Sequence, residues 1–259
     1  MSAIITTAGR PDEYTHILTK EAHAALGFPI VERKKRSVRK MQEIYHADVL
    51  VAGKQRFELY KVGTEEPFFF HPNSAAFRLK RLQKGEKDPL IDICELKSGD
   101  SFLDCTLGLA SDSIIASYII GDGGRITGVE ADEMVAFITD KGLKSFEVDS
   151  VSLRRSMERI NVIHDEAIRF LKVQPDQSWD VVYIDPMFHR PIDESSNFTA
   201  LRDAGVHSVL SARWVEEALR VCKRRVVVKE RFDSPVFERF SLNRKIRPNT
   251  KFHFGYLDR

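Results

Sequence analysis

The stretch Ser101-Phe-Leu-Asp-Cys-Thr-Leu-Gly-Leu-Ala-Ser-Asp112 combines a short apolar run, a carboxylate, a turn and the start of a second apolar run. The first run is typical of a strand and ends at Asp104. A turn containing Thr106 and Gly108 then leads to a predicted helix over 111–120. In an open α/β sheet this order, strand, glycine-containing turn and helix, marks the place where a ligand binds.

The residues of this turn favour a cationic ligand. A dinucleotide pyrophosphate needs close backbone approach at several glycines, whereas Gly108 is the only glycine of the turn. The carboxylate of Asp104 suits an amino-bearing or positive ligand, and S-adenosylmethionine carries both a sulfonium and an ammonium group. An ordinary strand–helix turn with a surface carboxylate is the alternative.

The composition is that of a globular protein. Its 259 residues are 42% hydrophobic and 30% charged, enough for one large or two modest domains. The three cysteines are isolated, so we predict no metal site, and their sparse use fits a reducing compartment. Without a secretion signal or an apolar run of membrane-spanning length, the sequence predicts a cytoplasmic protein.

The formal net charge is only +2, but the basic residues are clustered. The clusters lie at 33–40, 78–87, 223–225 and 244–247. Such clusters are usually solvated faces, yet four of them make a polyanion such as RNA a partner to consider.

The chain is predicted to have three parts. Residues 1–65 form a small α/β domain, with a strand over 3–7, a helix ending at Gly27 and a hairpin around Gly53. Residues 66–90 are a linker and a basic helix. Residues 91–259 form the ligand-binding domain.

Three consecutive phenylalanines occur in the linker, before His71. This pattern is neither helical nor alternating, so we expect Phe68 and Phe70 to pack on both domains. His71 is a candidate for facing a substrate. The helix that follows, 75–82, has one apolar and one basic face.

Strands and helices alternate in the third part. Strands are predicted at 102–103, 125–129, 160–164, 181–184 and 225–229, and helices at 111–120, 132–141, 152–159, 166–172 and 212–222. Gly142 is expected to end the second helix. Strands that are apolar on both faces are parallel and covered by helices, and the tail alternates at 240–242 and 252–257. We therefore predict an α/β fold of the class I methyltransferase (Rossmann-like) type, a mainly parallel sheet with an antiparallel terminal hairpin.

Four of the predicted strands end in an acid. Because parallel strand ends converge on one crevice, Asp104, Glu130, Asp165 and Asp185 should face one ligand. Glu130 is placed to accept ribose hydroxyls and Asp165 an adenine amino group, while Asp104 and Asp112 would lie near a methionine end. A single strand-end acid is often only a helix N-cap, but four in succession favour a ligand.

The motif Asp185-Pro-Met-Phe188 resembles the Asp/Asn-Pro-Pro-aromatic signature of methyltransferases that modify amines. The carboxylate of Asp185 and the carbonyl of Pro186 would accept two N–H groups from a planar amine and aim its nitrogen. Phe188 would stack on the extruded base. Met187 replaces the usual second proline, and a simple strand-to-loop turn is the alternative.

Taken together, the motifs resemble one family. Asp104-Cys-Thr-Leu-Gly-Leu-Ala-Ser-Asp112, Gly128-Val-Glu130, Ile163-His164, Asp185-Pro-Met-Phe188 and Arg224-Arg-Val-Val-Val-Lys229 occur in this order. Over about residues 71–259 the chain resembles the RsmJ-like family, S-adenosylmethionine-dependent methyltransferases acting on a guanine N2 of 16S ribosomal RNA. The methionine of Asp185-Pro-Met-Phe188 is shared with that family. Residues 1–65 and the single glycine of 77–85 depart from it.

The resemblance implies S-adenosylmethionine as cofactor and RNA as partner. Together with the turn, it makes these residues candidates for binding the cofactor: Asp104, Thr106, Gly108, Ser111, Asp112, Glu130, Ala131, Asp165, Glu166 and Asp185. The predicted catalytic residues are Asp185, Pro186 and Phe188, and the candidate substrate contacts are His71, Arg78 and Lys229. Lys229 is otherwise a solvated edge lysine.

Other functions stay open at this point. Guanine N2 and adenine N6 both present an exocyclic amine. A methyltransferase for a small molecule or protein, and a non-catalytic RNA-binding protein that keeps the fold, are the alternatives. A nicotinamide oxidoreductase ranks last because the phosphate-binding glycines are absent.

Overall fold

Two β-sheets organise the chain in the computed structural model, which describes residues 2–64, 66–186, 210–248 and 250–259. The smaller sheet contains β1 (Ala3–Thr7), β2 (Asp48–Ala52) and β3 (Phe57–Tyr60) in the order β1-β2-β3. β1 is parallel to β2, and β2 and β3 form the predicted antiparallel hairpin.

Two helices accompany the small sheet, α1 (Glu13–Leu26) and α2 (Val38–Tyr45). Asp12 caps α1 by accepting the backbone N–H of Thr15. The helix ends at Gly27, as predicted, where φ is 73° and a left-handed conformation suits glycine.

The larger sheet has seven strands. They are β4 (Ser101–Asp104), β5 (Arg125–Glu130), β6 (Ile160–His164), β7 (Trp179–Ile184), β8 (Cys222–Arg231), β9 (Asn243–Lys245) and β10 (Phe252–Asp258). Their order is β6-β5-β4-β7-β8-β10-β9. The first five are parallel neighbours, while β10 runs antiparallel to β8 and to β9. The predicted parallel sheet with an antiparallel terminal hairpin is therefore confirmed.

One strand of that hairpin differs from the prediction. β9 begins at Asn243, after the alternating residues 240–242 that the sequence favoured. A short helix, Val236–Arg239, precedes it, and Leu242 packs into the core, so the chain reaches the sheet edge three residues later than predicted.

Helices cover both faces of the larger sheet. They are α3 (Asn73–Gln83), α4 (Pro89–Cys94), α5 (Ser111–Ile120), α6 (Glu133–Ser145), α7 (Val151–Glu158), α8 (Ala167–Val173), α9 (Ala212–Val221) and α10 (Val236–Arg239). The sequence analysis missed α4, which Asp88 caps and Pro89 begins. α6 continues through Gly142, so the predicted end of this helix was wrong. Within the described ranges, no helix is long and apolar enough to cross a membrane.

Alternate residues along the strands of the larger sheet pack into two hydrophobic clusters, one on each face. Phe102, Tyr183 and Val227 lie in one cluster, and their neighbours Leu103, Val182 and Val228 lie in the other. The strands are therefore buried on both faces, as expected for a covered parallel sheet. The first cluster also includes residues of the small sheet and the linker phenylalanines Phe68 and Phe70, as expected. The proposed domain boundary at residue 65 stays a prediction.

Candidate active site

The carboxyl ends of β4 to β7 lie at one edge of the larger sheet. Asp104 pairs with Gly128 of β5 on one side and with Tyr183 of β7 on the other. The backbone N–H of Asp185 donates to Oγ1 of Thr106 at 2.7 Å. The topology thus brings the predicted strand-end acids to one edge, and the Thr106 bond joins the turn after β4 to the end of β7.

The turn after β4 folds down onto β5. Gly108 and Ala110 have φ of 50° and 58°, in the left-handed region that glycine tolerates best. A Cβ at Gly128 would lie 2.2 Å from Cδ1 of Leu107, so the turn needs a glycine beneath it. The two carboxylate oxygens of Glu130 accept the N–H of Gly108 and of Asp132, each at 3.0 Å.

Asp104 is buried beneath the turn. It accepts hydrogen bonds from the N–H of Thr106 at 3.0 Å and from the Ser113 hydroxyl at 2.7 Å. Burial raises the pKa of Asp104 to about 7, although these two hydrogen bonds oppose the shift. The carboxyl therefore exchanges its proton near neutral pH.

Asp112, in the first turn of α5, is held by three donors. Nη1 of Arg78 lies 2.5 Å from Oδ1, and the Tyr183 hydroxyl lies 2.7 Å from Oδ2. Nζ of Lys229 lies 3.2 Å from the same Oδ2. Burial disfavours the charge of Asp112, but the two cations hold its pKa well below the usual range. Arg78 is itself fixed by two 2.8 Å bonds to Asp88.

Lys229 connects Asp112 to Asp185. Its Nζ lies 2.6 Å from Oδ2 of Asp185, and the side chain is mostly buried. Burial lowers the pKa of Lys229, but the two carboxylates raise it above its ordinary value, so the side chain carries a charge. Burial raises the pKa of Asp185, and the charge of Lys229 opposes that shift.

Three other predicted positions lie at the ends of β6 and β5 and at the start of α5. Asp165 follows β6, accepts the N–H of Glu166 at 2.7 Å and is ion-paired with Arg169. Ala131 follows β5 and Ser111 begins α5, and both are partly exposed.

The remaining predicted positions are Pro186, Phe188 and His71. Pro186 follows Asp185, and Phe188 lies outside the described residues. His71 contacts the ring of Phe69, and burial together with Arg56 lowers the pKa of His71. The roles assigned to all of these positions from the sequence stay predictions.

Comparison with known proteins identifies the family. A family model described as "Putative SAM-dependent methyltransferase" matches residues 33–252. The chain belongs to this family. S-adenosylmethionine is therefore its cofactor, as the sequence analysis inferred.

Three relatives show what the chain is similar to. A Bacillus subtilis (strain 168) protein, "Uncharacterized protein YpiP", is 43% identical over 98% of both chains. A ribosomal RNA small subunit methyltransferase J from Acinetobacter baylyi is 31% identical over 43% of this chain and 40% of its own. The same enzyme from Dechloromonas aromatica is 26% identical over 72% of this chain and 78% of its own.

The fold has a solved counterpart. The crystal structure of a SAM-dependent methyltransferase from Neisseria gonorrhoeae superposes with a TM-score of 0.60 at 19% identity, over 98% of this chain and 95% of that one. The fold of this methyltransferase is thus that of class I enzymes, as predicted.

The charges at the sheet edge fit the cofactor. In the connected network, three carboxylates face two cations; they are Asp88, Asp112 and Asp185 with Arg78 and Lys229. The formal surplus of one negative charge complements S-adenosylmethionine, whose sulfonium, ammonium and carboxylate sum to one positive charge. Glu130, at the end of β5, is a fourth carboxylate outside this network.

The sequence analysis missed two residues at this edge of the sheet. The hydroxyl of Tyr183 is a polar atom in an otherwise apolar strand, and that contrast could have drawn attention to it. Glu230 follows Lys229, is 3% exposed, and burial raises its pKa to about 7. The sequence around Glu230 carries no signal of its burial, because Glu230 pairs with His253 of the neighbouring strand β10, which is distant in sequence.

The third basic cluster differs from the first two. In the cluster 223–225, Arg224 pairs with Asp100 at 2.6 Å and Arg225 pairs with Asp258 at 2.6 Å. These two arginine side chains are paired within the protein, which favours a structural role for them over contact with a polyanion. By contrast, the lysines of the first two clusters are exposed; they are Lys34, Lys35, Lys40, Lys80, Lys84 and Lys87.

Proposed function

We propose that the protein methylates an exocyclic amine of a nucleic-acid base, with guanine N2 of ribosomal RNA as its target. The observation that carries the proposal is the placement of Asp185 and Pro186 at the end of β7, beside the turn that follows β4. The names of the Acinetobacter baylyi and Dechloromonas aromatica relatives support an RNA substrate.

In the proposed reaction, the main task of the protein is to position the substrate amine. Asp185 offers a carboxylate and Pro186 a backbone carbonyl, which would accept the two N–H groups of a planar amine. The bound cofactor would supply a methyl group on a sulfonium. The amine nitrogen held by Asp185 and Pro186 would form a bond to the methyl carbon as the carbon–sulfur bond breaks, and the electron pair of that bond would stay on sulfur. Asp185 or water then takes the proton that the methylated nitrogen loses, and catalysis is mainly positioning.

The backbone geometry prepares Asp185 for this role. Its N–H is fixed by Thr106, whose hydroxyl also lies 3.3 Å from Oδ1 of Asp104. The acceptor is thus tied to the turn proposed to hold the methionine end of the cofactor. Phe188 would stack on the base.

The other strand-end acids would hold the cofactor. We assign Glu130 to the ribose hydroxyls, Asp165 to the adenine amino group, and Asp104 with Asp112 to the methionine end. Further contacts are proposed for Thr106, Gly108, Ser111, Ala131 and Glu166.

The exposed basic residues of 33–40 and 80–87 are proposed to bind RNA phosphates. Electrostatic contacts of this kind supply affinity without sequence selectivity. An RNA substrate also implies a cytoplasmic location, which stays a prediction.

The test compares ribosomal RNA from a strain that lacks the gene with RNA from strains complemented by the wild-type or the Asp185→Ala protein. Mass spectrometry of the nucleosides should show the loss of one N2-methylguanosine, restored by the wild type alone. Loss of an N6-methyladenosine would move the target to adenine. Unchanged ribosomal RNA would contradict the proposal and favour a small-molecule or protein substrate.

A further inference from the structure

The ammonium group of Lys229 lies where a substrate amine is proposed to bind. Its Nζ is 2.6 Å from Oδ2 of Asp185, a normal distance for a charge-assisted N–H bond to a carboxylate. Asp185 therefore accepts from an amine-type donor supplied by the protein itself.

A second carboxylate, that of Asp112, also lies within reach of Lys229. The same Nζ lies 3.2 Å from Oδ2 of Asp112. Asp112 is fixed from other directions by Arg78 and Tyr183, so it stays in place whether or not Lys229 moves. A small rotation of the flexible lysine side chain would shorten the Asp112 contact while releasing Asp185.

We propose that Lys229 is a positioning residue that holds Asp185 in place until the substrate amine arrives, and that its ammonium group then shifts onto Asp112. The inference rests on the proposed function, in which Asp185 accepts the amine. In this proposal Lys229 acts through Asp185 and not on the reacting atoms.

The charge of Lys229 also keeps Asp185 able to accept. An ionised carboxylate only accepts hydrogen bonds, whereas a protonated one donates from one oxygen. The charged or titratable groups that act on Asp185 in the described residues lie on α3, α5, β4, β7 and β8; they are Arg78, Asp112, Asp104, Tyr183, Lys229 and Glu230. Burial and the nearby acids disfavour ionisation of Asp185, and Lys229 opposes them at the shortest distance.

The test uses three variants of the full-length protein. Lys229→Met removes the charge and keeps most of the side-chain volume. Lys229→Arg keeps the charge but carries a wider fork of donors. Lys223→Met is the matched control, because Lys223 lies near the other end of β8, 3.4 Å from Asp180.

Two measurements separate this inference from the proposed function. The first is a carbon-13 NMR titration of the Asp185 carboxyl in the protein without substrate, with the signal assigned from Asp185→Asn. The second is single-turnover methylation of ribosomal RNA across pH, with saturation by S-adenosylmethionine checked by calorimetry.

In Lys229→Met, both the NMR midpoint of Asp185 and the acidic limb of the rate profile should move to higher pH by roughly one pH unit or more, as expected when a contacting opposite charge is lost. Lys223→Met should leave both unchanged. Lys229→Arg should keep the acidic limb near that of the wild type but react about tenfold more slowly, because a guanidinium bound to both carboxylates withdraws less readily.

An unchanged Asp185 midpoint in Lys229→Met would overturn the inference, and a Lys229→Arg enzyme as fast as the wild type would show that no shift onto Asp112 is needed. If wild-type protein methylates no RNA, the proposed function fails instead. The NMR titration would then still decide whether Lys229 holds Asp185 ionised.

Discussion

The ring of Phe70 occupies the space that any side chain at position 142 would need. A Cβ at Gly142 would lie 2.1 Å from Cγ of Phe70. Gly142 thus lies within α6 because the linker crosses the helix there, and the glycine does not end the helix. The contact fixes the linker against the larger sheet's helical layer.

Gly142→Ala should destabilise the protein, although alanine is the better helix former by about 1 kcal/mol. Overpacking against Phe70 should cost about 1–3 kcal/mol, measured by urea unfolding. In a Phe70→Ala background the same change should cost less, because two of the three closest atoms are removed. Equal costs in both backgrounds would show that the ring does not set this requirement.

Asp185→Ala should reduce single-turnover methylation by about 100-fold or more, because it removes a positioned acceptor from the site. S-adenosylmethionine should still bind, since Glu130 and Asp165 remain. Asp185→Asn keeps one acceptor oxygen but takes up no proton, so its rate should be intermediate. Asp122→Ala removes an exposed carboxylate and serves as the control. Near-normal turnover in Asp185→Ala would show that the Asp185-Pro-Met-Phe188 motif has no catalytic role and is only a strand-to-loop turn.

Glu130→Ala should weaken cofactor binding by about 1–3 kcal/mol, the range for leaving polar partners unpaired. The change removes the proposed ribose contact and also the acceptor for the N–H of Gly108. Calorimetry with the demethylated cofactor measures the loss, and Glu147→Ala, at an exposed position, is the control. Unaltered affinity would exclude Glu130 from the cofactor site.

Reversing Lys80, Lys84 and Lys87 to glutamate should weaken RNA binding and lower its salt slope by roughly one unit for each lost phosphate contact. Arg78 is left intact, because its reversal would break the bonds to Asp88 and Asp112. The control reverses three exposed lysines elsewhere, Lys54, Lys144 and Lys172. If both triple variants bind RNA equally well, the surface that carries Lys80, Lys84 and Lys87 makes no specific contribution to RNA binding.

Asp104 should make stability depend on pH. Burial raises its pKa from 3.8 to about 7, so between these values the folded state holds a proton that the unfolded state has lost. The free energy of unfolding should therefore fall as the pH rises through this window. Asp104→Asn lacks this titrating group. Between pH 4 and pH 8, its free energy of unfolding relative to that of the wild type should therefore rise by on the order of 1–4 kcal/mol. Parallel curves of unfolding free energy against pH for the two proteins would assign the effect to other groups.

Local patterns in the sequence defined much of the fold. The bounds of α5 were predicted as observed, because an apolar segment follows the turn residues and ends at Gly121. The convergence of Asp104, Glu130 and Asp185 also followed from the sequence, since each ends a strand that is apolar on both faces. Parallel strands of this kind place their carboxyl ends on one edge whatever the details of packing.

The partners of the charged residues were decided only by the tertiary structure. Arg78 and Asp112 are 34 positions apart, and Lys229 and Asp185 are 44 apart. No periodicity links such residues, because the strength of an ion pair depends on distance and burial in three dimensions. The sequence by itself therefore determined the parallel sheet and the acids at its edge. The positions of α3 and β8 in the folded protein bring Arg78 and Lys229 to those acids, and the sequence alone does not show this.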